Sequence, residues 1–547
     1  MIEKYDTQIT NILVIGSGGA GLSAAIECKN NGLSVSVIGK REKSDVHTVL
    51  AAGGINAAFG NIDEEDSWEQ HFIDTYLEGY SIGDPRTIEI MTKEAPHVVN
   101  EIDEWGAKFK RLKNGKIDQR FFGAHKYRRT CYCGDYTGRE ILNTLLKKSK
   151  NLGININDNS FVTELLVEDN ICFGAVSFNM KNGDKMVHYS DAVILATGGH
   201  TRIWKNSSSR KNENTGDGLF LALKAGCSLL DLEMVQFHPT GMLFPEDISG
   251  TLVTEAVRGE GGILLNSNGE RFMQKYDPER MELSTRDRVA LANYKEIQEG
   301  RSSPSGGVYL DISHKTKDFI LDKLPSIYRQ FIEYQMLDIS RDPMEVAPTA
   351  HYSMGGILVS PNEHQTDVRG LYACGEVAGG LHGANRLGGN SLAEILIFGK
   401  RAGKYASIYS KNLKFQQRSI KKVNLGIQAI SDQIKKGDEI GRIIEYKLHK
   451  IMWKYCGVLR DKGKLLKGLN EVHNLKKRFM NMDVRIEAQN YGELSLSFSL
   501  HSEIICAEAT ILSALMRKES RGAHQRSDYP NISELEKFNY LVKLKGD

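Results

Sequence analysis

The stretch that decides the fold covers residues 11–60 and reads NILVIGSGGAGLSAAIECKNNGLSVSVIGKREKSDVHTVLAAGGINAAFG. Residues 11–15 are apolar after Asn11 and predict a β-strand, residues 22–30 predict a helix, and residues 34–38 predict a second strand. A turn without bulky side chains lets backbone N–H groups approach a pyrophosphate, and the N-terminus of the following helix adds positive potential. The stretch therefore predicts a dinucleotide-binding unit. The residues of its turn that we expect to bind the cofactor are Gly16, Ser17, Gly18, Gly19, Ala20 and Gly21.

The second strand ends without the acidic residue that usually binds the ribose hydroxyls of a dinucleotide. In its place the chain carries Gly39-Lys40-Arg41. This difference argues against ordinary NAD binding. It favours a flavin dinucleotide, or a different ribose contact in which Lys40 takes part.

Composition limits the classes of function. The chain of 547 residues is long enough for more than one domain, and its 71 basic against 69 acidic residues give no charge bias of the kind that nucleic-acid binding requires. Basic residues cluster over 411–477, which we interpret as a solvated helical face. The eight cysteines contain no C-x-x-C pair, so the chain has no ferredoxin or zinc-ribbon pattern, and we expect no metal site.

The sequence also bears on location. Residues 1–10 are polar and lead directly into the first strand, so we expect no signal peptide. We found no apolar run near the ~20 residues that span a bilayer. Scattered cysteines fit reduced thiols and a cytoplasmic compartment, with any membrane attachment through partner subunits.

Residues 44–56, SDVHTVLAAGGIN, resemble the stretch by which succinate dehydrogenase and fumarate reductase flavoprotein subunits hold FAD. The resemblance implies that His47 forms a covalent bond to the 8α-methyl carbon of the flavin. By composition alone an ordinary loop histidine would be the simpler interpretation. The resemblance extends from about residue 10 to 530, and the residues to which it assigns further FAD contacts are Thr48, Gly53, Gly54, Asp217, Glu376, Ser391 and Leu392.

Further motifs resemble the dicarboxylate site of the same family: HPTG at 238–241, TEAVRGEGG at 254–262, STRDR at 284–288, PTAHYSMGG at 348–356 and HGANRLGGNSL at 382–392. Each substrate carboxylate needs charge-assisted donors, which arginine supplies well. The resemblance implies that Arg386 and His351 bind one carboxylate. It implies that His238 and Thr254 bind the other.

The resemblance also assigns the proton chemistry. Arg286 exchanges the substrate proton, while a hydride moves between substrate and flavin. Glu255 and Arg258 relay the proton between Arg286 and solvent. Arginine is a poor base in water because its pKa exceeds ~12, so this role requires a special environment.

We expect an α/β fold with a Rossmann-like FAD-binding domain, an inserted α+β capping domain and a C-terminal helical domain. The predicted ranges are 1–232 and 345–410 for the FAD-binding domain, 233–344 for the capping domain, and 411–547 for the helical domain and a short tail. The resemblance implies an iron–sulfur subunit as electron partner, with membrane anchor subunits behind it or, in thiol-dependent fumarate reductases, a soluble assembly.

Two alternatives differ from this interpretation. L-Aspartate oxidase shares the fold, the substrate arginines and a similar length, but His47, the LGGN after Arg386 and the RGAH at 521–524 favour the dehydrogenase pattern. A flavin-binding structural or RNA-modifying protein would keep the glycine turn without retaining His238, His351 and both arginines. The direction of the reaction cannot be read from the sequence.

Overall fold

A computed structural model describes residues 4–486 and 491–544 of the chain. Its helices are α1 (Gly19–Asn30), α2 (Trp68–Glu78), α3 (Pro85–Glu104), α4 (Thr137–Asn151), α5 (Asp217–Ala225), α6 (Ala256–Gly259), α7 (Met273–Tyr276), α8 (Arg286–Gln298), α9 (Lys317–Lys323), α10 (Pro325–Gln335), α11 (Asn390–Asn412), α12 (Ile420–Asp432), α13 (Gly441–Tyr455), α14 (Lys462–Phe479) and α15 (Gly492–Met516). Its strands are β1 (Asp6–Ile15), β2 (Val35–Ile38), β3 (Ile55–Asn56), β4 (Gln119–Arg120), β5 (Thr130–Cys131), β6 (Asn155–Asn157), β7 (Ser160–Glu168), β8 (Ile171–Asn179), β9 (Lys185–Leu195), β10 (Leu229–Leu230), β11 (Val235–Met242), β12 (Ile263–Leu265), β13 (Val308–Asp311), β14 (Met344–Ser353), β15 (Gly356–Ile357), β16 (Leu371–Ala373), β17 (Leu459–Arg460), β18 (Gln525–Arg526) and β19 (Leu541–Val542).

The central sheet has the order β6-β2-β1-β9-β8-β7, and β16 pairs with the end of β9. Strands β6, β2, β1, β9 and β16 run parallel, whereas β8 and β7 form an antiparallel extension. Alternate side chains of β1 enter different cores: Ile12 and Val14 pack with α1 and α11, and Leu13 and Ile15 pack with α5. A sheet covered on both faces explains why this strand reads as a continuous apolar run.

The glycine-rich turn follows β1 as predicted, and the helix begins three residues earlier than expected, at Gly19. Gly16 has φ +121°, a conformation that favours glycine. A Cβ at Gly21 would lie 1.8 Å from the Gly16 carbonyl oxygen. Both glycines are therefore required by the backbone of the turn itself.

A second, antiparallel sheet of order β11-β14-β13-β12 contains three strands of the predicted capping segment and β14, nearly all of which lies after the predicted boundary at 344. Its core contains Met242, Leu310 and Val346 from the sheet and Phe331 from α10. Strand β14 begins at residue 344, at the predicted boundary, and α11 extends across the boundary predicted at 410. The domain limits themselves remain predictions.

Two helices differ from the sequence-based expectation. The sequence predicts a helix over residues 63–79, but α2 begins at Trp68, because the Ser67 hydroxyl caps it by accepting the Gln70 N–H at 3.3 Å. A second helix is predicted over residues 85–104 with a kink or break at Pro96, but α3 is continuous through this proline. Its buried face, with Ile88, Met91 and Val99, keeps it packed despite the missing N–H.

Helix α15 corrects the expectation that no segment could span a membrane. An 18-residue window of this 25-residue helix reaches a mean hydropathy of 1.2, which by length and composition is enough for a span. However, 67% of that window is buried inside the protein, where Leu500, Ile504 and Ile511 pack against α13 and α14. It is the central helix of the C-terminal domain, and its interspersed serines hid the apolar run in the sequence.

The C-terminal tail returns to the start of the capping segment, where β19 pairs with β10. Arg517, whose side chain is fully buried, joins the two regions through ion pairs with Asp231 at 3.0 Å, Glu233 at 2.6 Å and Glu519 at 3.1 Å.

Candidate active site

A cavity of about 1350 Å³ lies between the central sheet, the antiparallel sheet and helices α11 and α13. Nearly all of the predicted site residues line it, although they come from segments more than 300 residues apart. The two exceptions are Gly21, which lies behind the glycine turn, and Arg258, which is buried behind Glu255.

The glycine turn forms one wall of the cavity with Thr48. The Gly19 N–H donates to the Thr48 hydroxyl at 3.1 Å, which ties the turn to the segment that carries His47. The 3-10 turn His47–Leu50 positions these residues. Gly53 and Gly54 follow it on the same wall, and Arg120 Nε donates to the Gly53 carbonyl at 2.9 Å.

Lys40 lies at the end of β2, where a dinucleotide fold usually has an acid. Its ammonium group contacts Asp217 at 2.7 Å and Thr215 at 3.0 Å, both at the start of α5. A carboxylate therefore does lie near the end of β2, but it belongs to Asp217 of α5. The side chains of Lys40 and Asp217 both line the cavity.

His47 forms a hydrogen bond with Glu213 that the sequence did not predict. His47 Nδ1 lies 3.1 Å from Glu213 Oε2. Enclosure opposes protonation of the imidazole, but the hydrogen bond and charge of Glu213 outweigh it and raise the pKa of His47. Arg210 also donates to Glu213, and the carboxyl pKa is lowered although burial acts in the opposite direction. This contact directs the other ring nitrogen, Nε2, away from Glu213.

Glu376 follows β16 at the far side of the same cavity. Its carboxylate accepts the Ser353 N–H at 3.0 Å, and burial raises its pKa to about 7 although the charge of His47 acts to lower it. Ser391 and Leu392 lie in the first turn of α11, also on the cavity wall.

These residues fit a flavin dinucleotide. Three buried polar atoms on the cavity wall, Ser17 Oγ, Thr197 Oγ1 and Asp217 Oδ1, have no hydrogen-bond partner among the described residues. A hydroxyl-rich, anionic cofactor would supply such partners, and the glycine turn supplies backbone N–H groups for its phosphates. The cavity volume also exceeds that of most small-molecule sites.

Arg286 and Glu255 form an ion pair inside this cavity. Arg286 begins α8, its side chain is 11% exposed, and its Nε donates to Glu255 Oε2 at 2.8 Å. Burial alone would raise the pKa of Glu255, but the charges of Arg286 and Arg258 lower it to about 2. Glu255 is therefore ionised at neutral pH and bridges two arginines.

Arg258 completes this ion-pair chain from behind. Its guanidinium lies 3.9 Å from Glu255 and donates to the Glu282 carbonyl. Burial and the charge of Arg286 lower its pKa, against the opposing charge of Glu255. Arg286, Glu255 and Arg258 therefore lie in succession, with a hydrogen bond between the first two and a separation of 3.9 Å between the last two.

Arg386 and Arg286 donate hydrogen bonds to the same acceptor, Gln236. Gln236 Oε1 accepts from Arg286 at 3.1 Å and from Arg386 at 3.0 Å. Burial and the charge of Arg286 lower the pKa of Arg386 to about 10. The guanidinium also lies 4.3 Å from the centre of the Tyr352 ring. Gln236 lies two residues before the HPTG motif, and the sequence predicted no role for it.

His238 and His351 face each other with ring centroids 5.4 Å apart. Burial lowers the pKa of both rings, and neighbouring arginines lower it further, so both are neutral at pH 7. The Thr240 N–H donates to His238 Nδ1 at 3.3 Å, which leaves the ring proton on Nε2. Thr254 lines the same part of the cavity.

This part of the cavity can bind a dianion. Arg386 Nε and His238 Nε2 are buried donors that have no partner among residues 4–486 and 491–544. The space is surrounded by two arginines, two neutral histidines and a threonine. The Glu255 carboxylate accepts a hydrogen bond from Arg286. Several donors around one space suit a short molecule with more than one carboxylate.

Comparisons with known proteins agree with this arrangement. A family model described as "FAD binding domain" matches residues 11–392, and one described as "Fumarate reductase flavoprotein C-term" matches residues 445–541. The chain is 43% identical over 538 residues to a CoM/CoB fumarate reductase chain of Methanothermobacter marburgensis, covering 98% of this chain and 97% of that protein.

Two further relatives come from bacteria. The chain is 36% identical over 558 residues to the succinate dehydrogenase flavoprotein subunit of Rickettsia conorii, covering 97% of this chain and 91% of that protein. The solved structure of a variant of E. coli quinol fumarate reductase FrdA has 34% sequence identity and a TM-score of 0.92, covering 97% of this chain and 93% of that chain.

Proposed function

Because this chain belongs to the succinate dehydrogenase and fumarate reductase flavoprotein family, we propose that it interconverts succinate and fumarate as the catalytic subunit of an FAD-dependent oxidoreductase. The observation that carries the proposal is the cluster of Arg286, Arg386, His238 and His351 at one end of a cavity that fits a dinucleotide. These donors match the two carboxylates of a C4 dicarboxylate.

Arg386 and His351 bind one carboxylate, and His238 and Thr254 bind the other. The neutral histidines donate hydrogen bonds without adding charge. Arg386, buried and next to a second arginine, keeps its charge at neutral pH because its pKa is lowered only to about 10. Together they fix the central carbon–carbon bond of the substrate.

When bound in this cavity, FAD would supply the hydride chemistry of the reaction. Arg286 gives or takes the proton at the neighbouring carbon, while Glu255 and Arg258 exchange that proton with solvent. The Arg286–Glu255 contact of 2.8 Å supports this order, because a relay needs donor and acceptor within hydrogen-bond reach. The remaining FAD contacts are those of the glycine turn, Lys40, Thr48, Gly53, Gly54, Asp217, Glu376, Ser391 and Leu392, with His47 bonded covalently to the flavin.

Electrons leave or enter through a separate iron–sulfur subunit, since the eight cysteines, all buried and unpaired, contain no cluster motif. That subunit links the chain to membrane anchor subunits, which places it as a peripheral subunit on the cytoplasmic face. No nucleic acid takes part.

A thiol-coupled fumarate reductase is the second candidate. The observation behind this candidate is the 43% identity to the CoM/CoB fumarate reductase chain, against 36% to the Rickettsia conorii dehydrogenase subunit. The same site serves both, so the distinction lies in the electron donor. Supplying the purified complex with either quinol or the two thiols, and measuring fumarate reduction, separates these two donors.

The test of the proposed function is a substrate comparison. We expect the purified holoenzyme to reduce fumarate with a reduced viologen dye and to oxidise succinate with an artificial acceptor. Turnover with L-aspartate should be at least a hundredfold slower than with succinate. Aspartate oxidation faster than succinate oxidation would instead identify an L-aspartate oxidase.

A further inference from the structure

Behind the two site arginines lies a chain of buried amide and carboxyl groups. Its first member is Gln236, whose Oε1 accepts from both Arg286 and Arg386. Gln236 Nε2 donates to the Arg386 carbonyl at 2.9 Å and to Asn385 Oδ1 at 2.8 Å. Gln236 and Asn385 are both buried, with exposed fractions of 0% and 1%.

This hydrogen-bonded chain of side chains ends on two carboxyl groups. Asn385 Nδ2 donates to Glu78 Oε1 at 2.7 Å and to Asp287 Oδ1 at 3.0 Å. Tyr80 donates to the other Asp287 oxygen at 2.6 Å. Glu78 and Asp287 are buried as well, and Asp287 directly follows Arg286 in α8.

The acidic end fixes the direction of every bond in the chain. Carboxylates accept hydrogen bonds, so the NH₂ group of Asn385 must face Glu78 and Asp287. Its oxygen then faces Gln236, which must present its own NH₂ group to Asn385. The Gln236 oxygen is thereby turned toward the two guanidinium groups. The reversed amides would place donor against donor at Gln236 and acceptor against acceptor at the carboxylates.

Electrostatics support the same conclusion. Burial raises the pKa of Glu78 well above its usual value, and the charges of Asp287 and Glu255 raise it further while Arg286 acts to lower it. A protonated Glu78 would still accept from Asn385 through its carbonyl oxygen. The chain therefore keeps its direction in either protonation state of Glu78.

We propose that Glu78, Asp287 and Asn385 are positioning residues that set the orientation of Gln236, which in turn holds Arg286 and Arg386 in the geometry that binds a dicarboxylate. The inference rests on the proposed function and extends it to residues that do not line the cavity. It differs from a packing role in one respect. Packing depends on side-chain volume, whereas this chain depends on which group donates.

A donor–acceptor exchange tests the inference. Asn385→Asp replaces the NH₂ group by an acceptor at nearly constant volume, and Glu78→Gln replaces an acceptor by a group that can donate. We measure the Kd of malonate by calorimetry and the KM and kcat for fumarate reduction with a viologen dye. The variants compared are N385D, E78Q and N385D/E78Q in the purified holoenzyme.

We expect N385D to raise the malonate Kd and the fumarate KM at least tenfold. The double variant should recover to within threefold of wild type, because the glutamine donates to the new carboxylate and restores the direction of the chain. The matched surface controls Asn424→Asp and Glu69→Gln, both at exposed positions, should match wild type.

The proposal is overturned if N385D binds malonate within twofold of wild type, or if the double variant is no better than N385D. Should N385D not fold, Asn385→Ala removes the amide without adding charge. It should raise the malonate Kd at least fivefold while flavin content stays normal, and a wild-type Kd would contradict the proposal. A wild-type protein that neither binds malonate nor reduces fumarate would instead overturn the proposed function.

Discussion

At the scale of single residues, the contact between His47 and Glu213 has the clearest chemical consequence. In a neutral imidazole, donation from Nδ1–H to Glu213 leaves the lone pair on Nε2. That nitrogen is then the nucleophile available to a cofactor in the cavity. Glu213 therefore fixes the tautomer and the ring orientation of His47. A carboxylate that accepts a hydrogen bond from a metal-binding histidine has the same effect.

We predict that Glu213→Gln reduces the fraction of covalently bound flavin, and that His47→Ser abolishes it. The amide no longer fixes the imidazole proton on Nδ1, so Nε2 carries the lone pair in only part of the population. Flavin fluorescence of the 61.1 kDa band on a denaturing gel measures the fraction. A band as bright in E213Q as in wild type would contradict the role of Glu213, and a dark wild-type band would remove the covalent bond from the account.

His200 provides a pH-dependent test away from the cavity wall. The ring is fully buried, and its nitrogens contact the Ser353 hydroxyl at 3.0 Å and the Thr510 hydroxyl at 3.2 Å. Burial lowers its pKa from 6.5 to about 4. Between these pH values the unfolded chain binds the proton more tightly, so this histidine contributes less stability as pH falls through 6.5 toward 4.

We therefore predict that wild type loses about 2 kcal/mol more unfolding free energy than His200→Gln between pH 7 and pH 5, at about 1.4 kcal/mol per pKa unit. Glutamine keeps a donor and an acceptor but does not titrate. Urea unfolding of the holoenzymes at the two pH values measures the difference. Parallel losses in both proteins would indicate that His200 does not carry this dependence.

At the scale of elements, the turn between β1 and α1 shows how much of the fold could be predicted. Apolar runs and glycine spacing located β1, β2 and α1 to within a few residues. The beginning of β1 at Asp6 could not be predicted, because residues 6–10 pair with β9, which lies far away in sequence. Similarly, Pro96 lies within α3 because tertiary packing outweighs a local preference.

Two glycines of that turn should respond differently to substitution by alanine. At Gly21 the new Cβ would meet a backbone oxygen at 1.8 Å, so we predict that Gly21→Ala costs about 3 kcal/mol or fails to fold. At Gly18 the nearest contact is Thr48 Oγ1 at 3.3 Å, and the residue lines the cavity. Gly18→Ala should therefore fold but bind FAD more weakly. Thermal unfolding and flavin content separate the two effects. Equal melting temperatures and equal flavin contents in the two variants would contradict this interpretation of the turn.

At the scale of the whole molecule, the C-terminal tail is joined to the capping segment by Arg517. Removing one partner of a buried ion pair leaves the others uncompensated and costs about 3–5 kcal/mol. We predict this loss for Arg517→Met, because Asp231, Glu233 and Glu519 would remain buried. The control is Arg341→Met, whose pair with Asp338 spans 3.9 Å and leaves the arginine side chain 81% exposed, so its loss should cost under about 1 kcal/mol. Equal losses would show that the tail is held by other contacts.

The site is also a property of the whole molecule, which explains what the sequence could reveal of it. Specific motifs identified His238, Arg286, His351 and Arg386, and the structure brings all four to one cavity; their roles remain predictions. Glu213 could not be assigned because it is 166 residues from His47 and belongs to no recognisable pattern. Asn385 and Glu78, separated by 307 residues, form a contact that only the folded chain reveals.

The most direct test of the central claim is fumarate reduction by Arg286→Gln compared with wild type, with flavin content measured in the same samples. General acid–base groups contribute about 10²–10⁴ in rate, so we predict a loss of about a thousandfold in turnover with full flavin occupancy. Glutamine keeps hydrogen-bonding capacity but cannot supply the proton. A variant that retains more than a tenth of wild-type turnover would contradict the assignment of Arg286 as the proton donor.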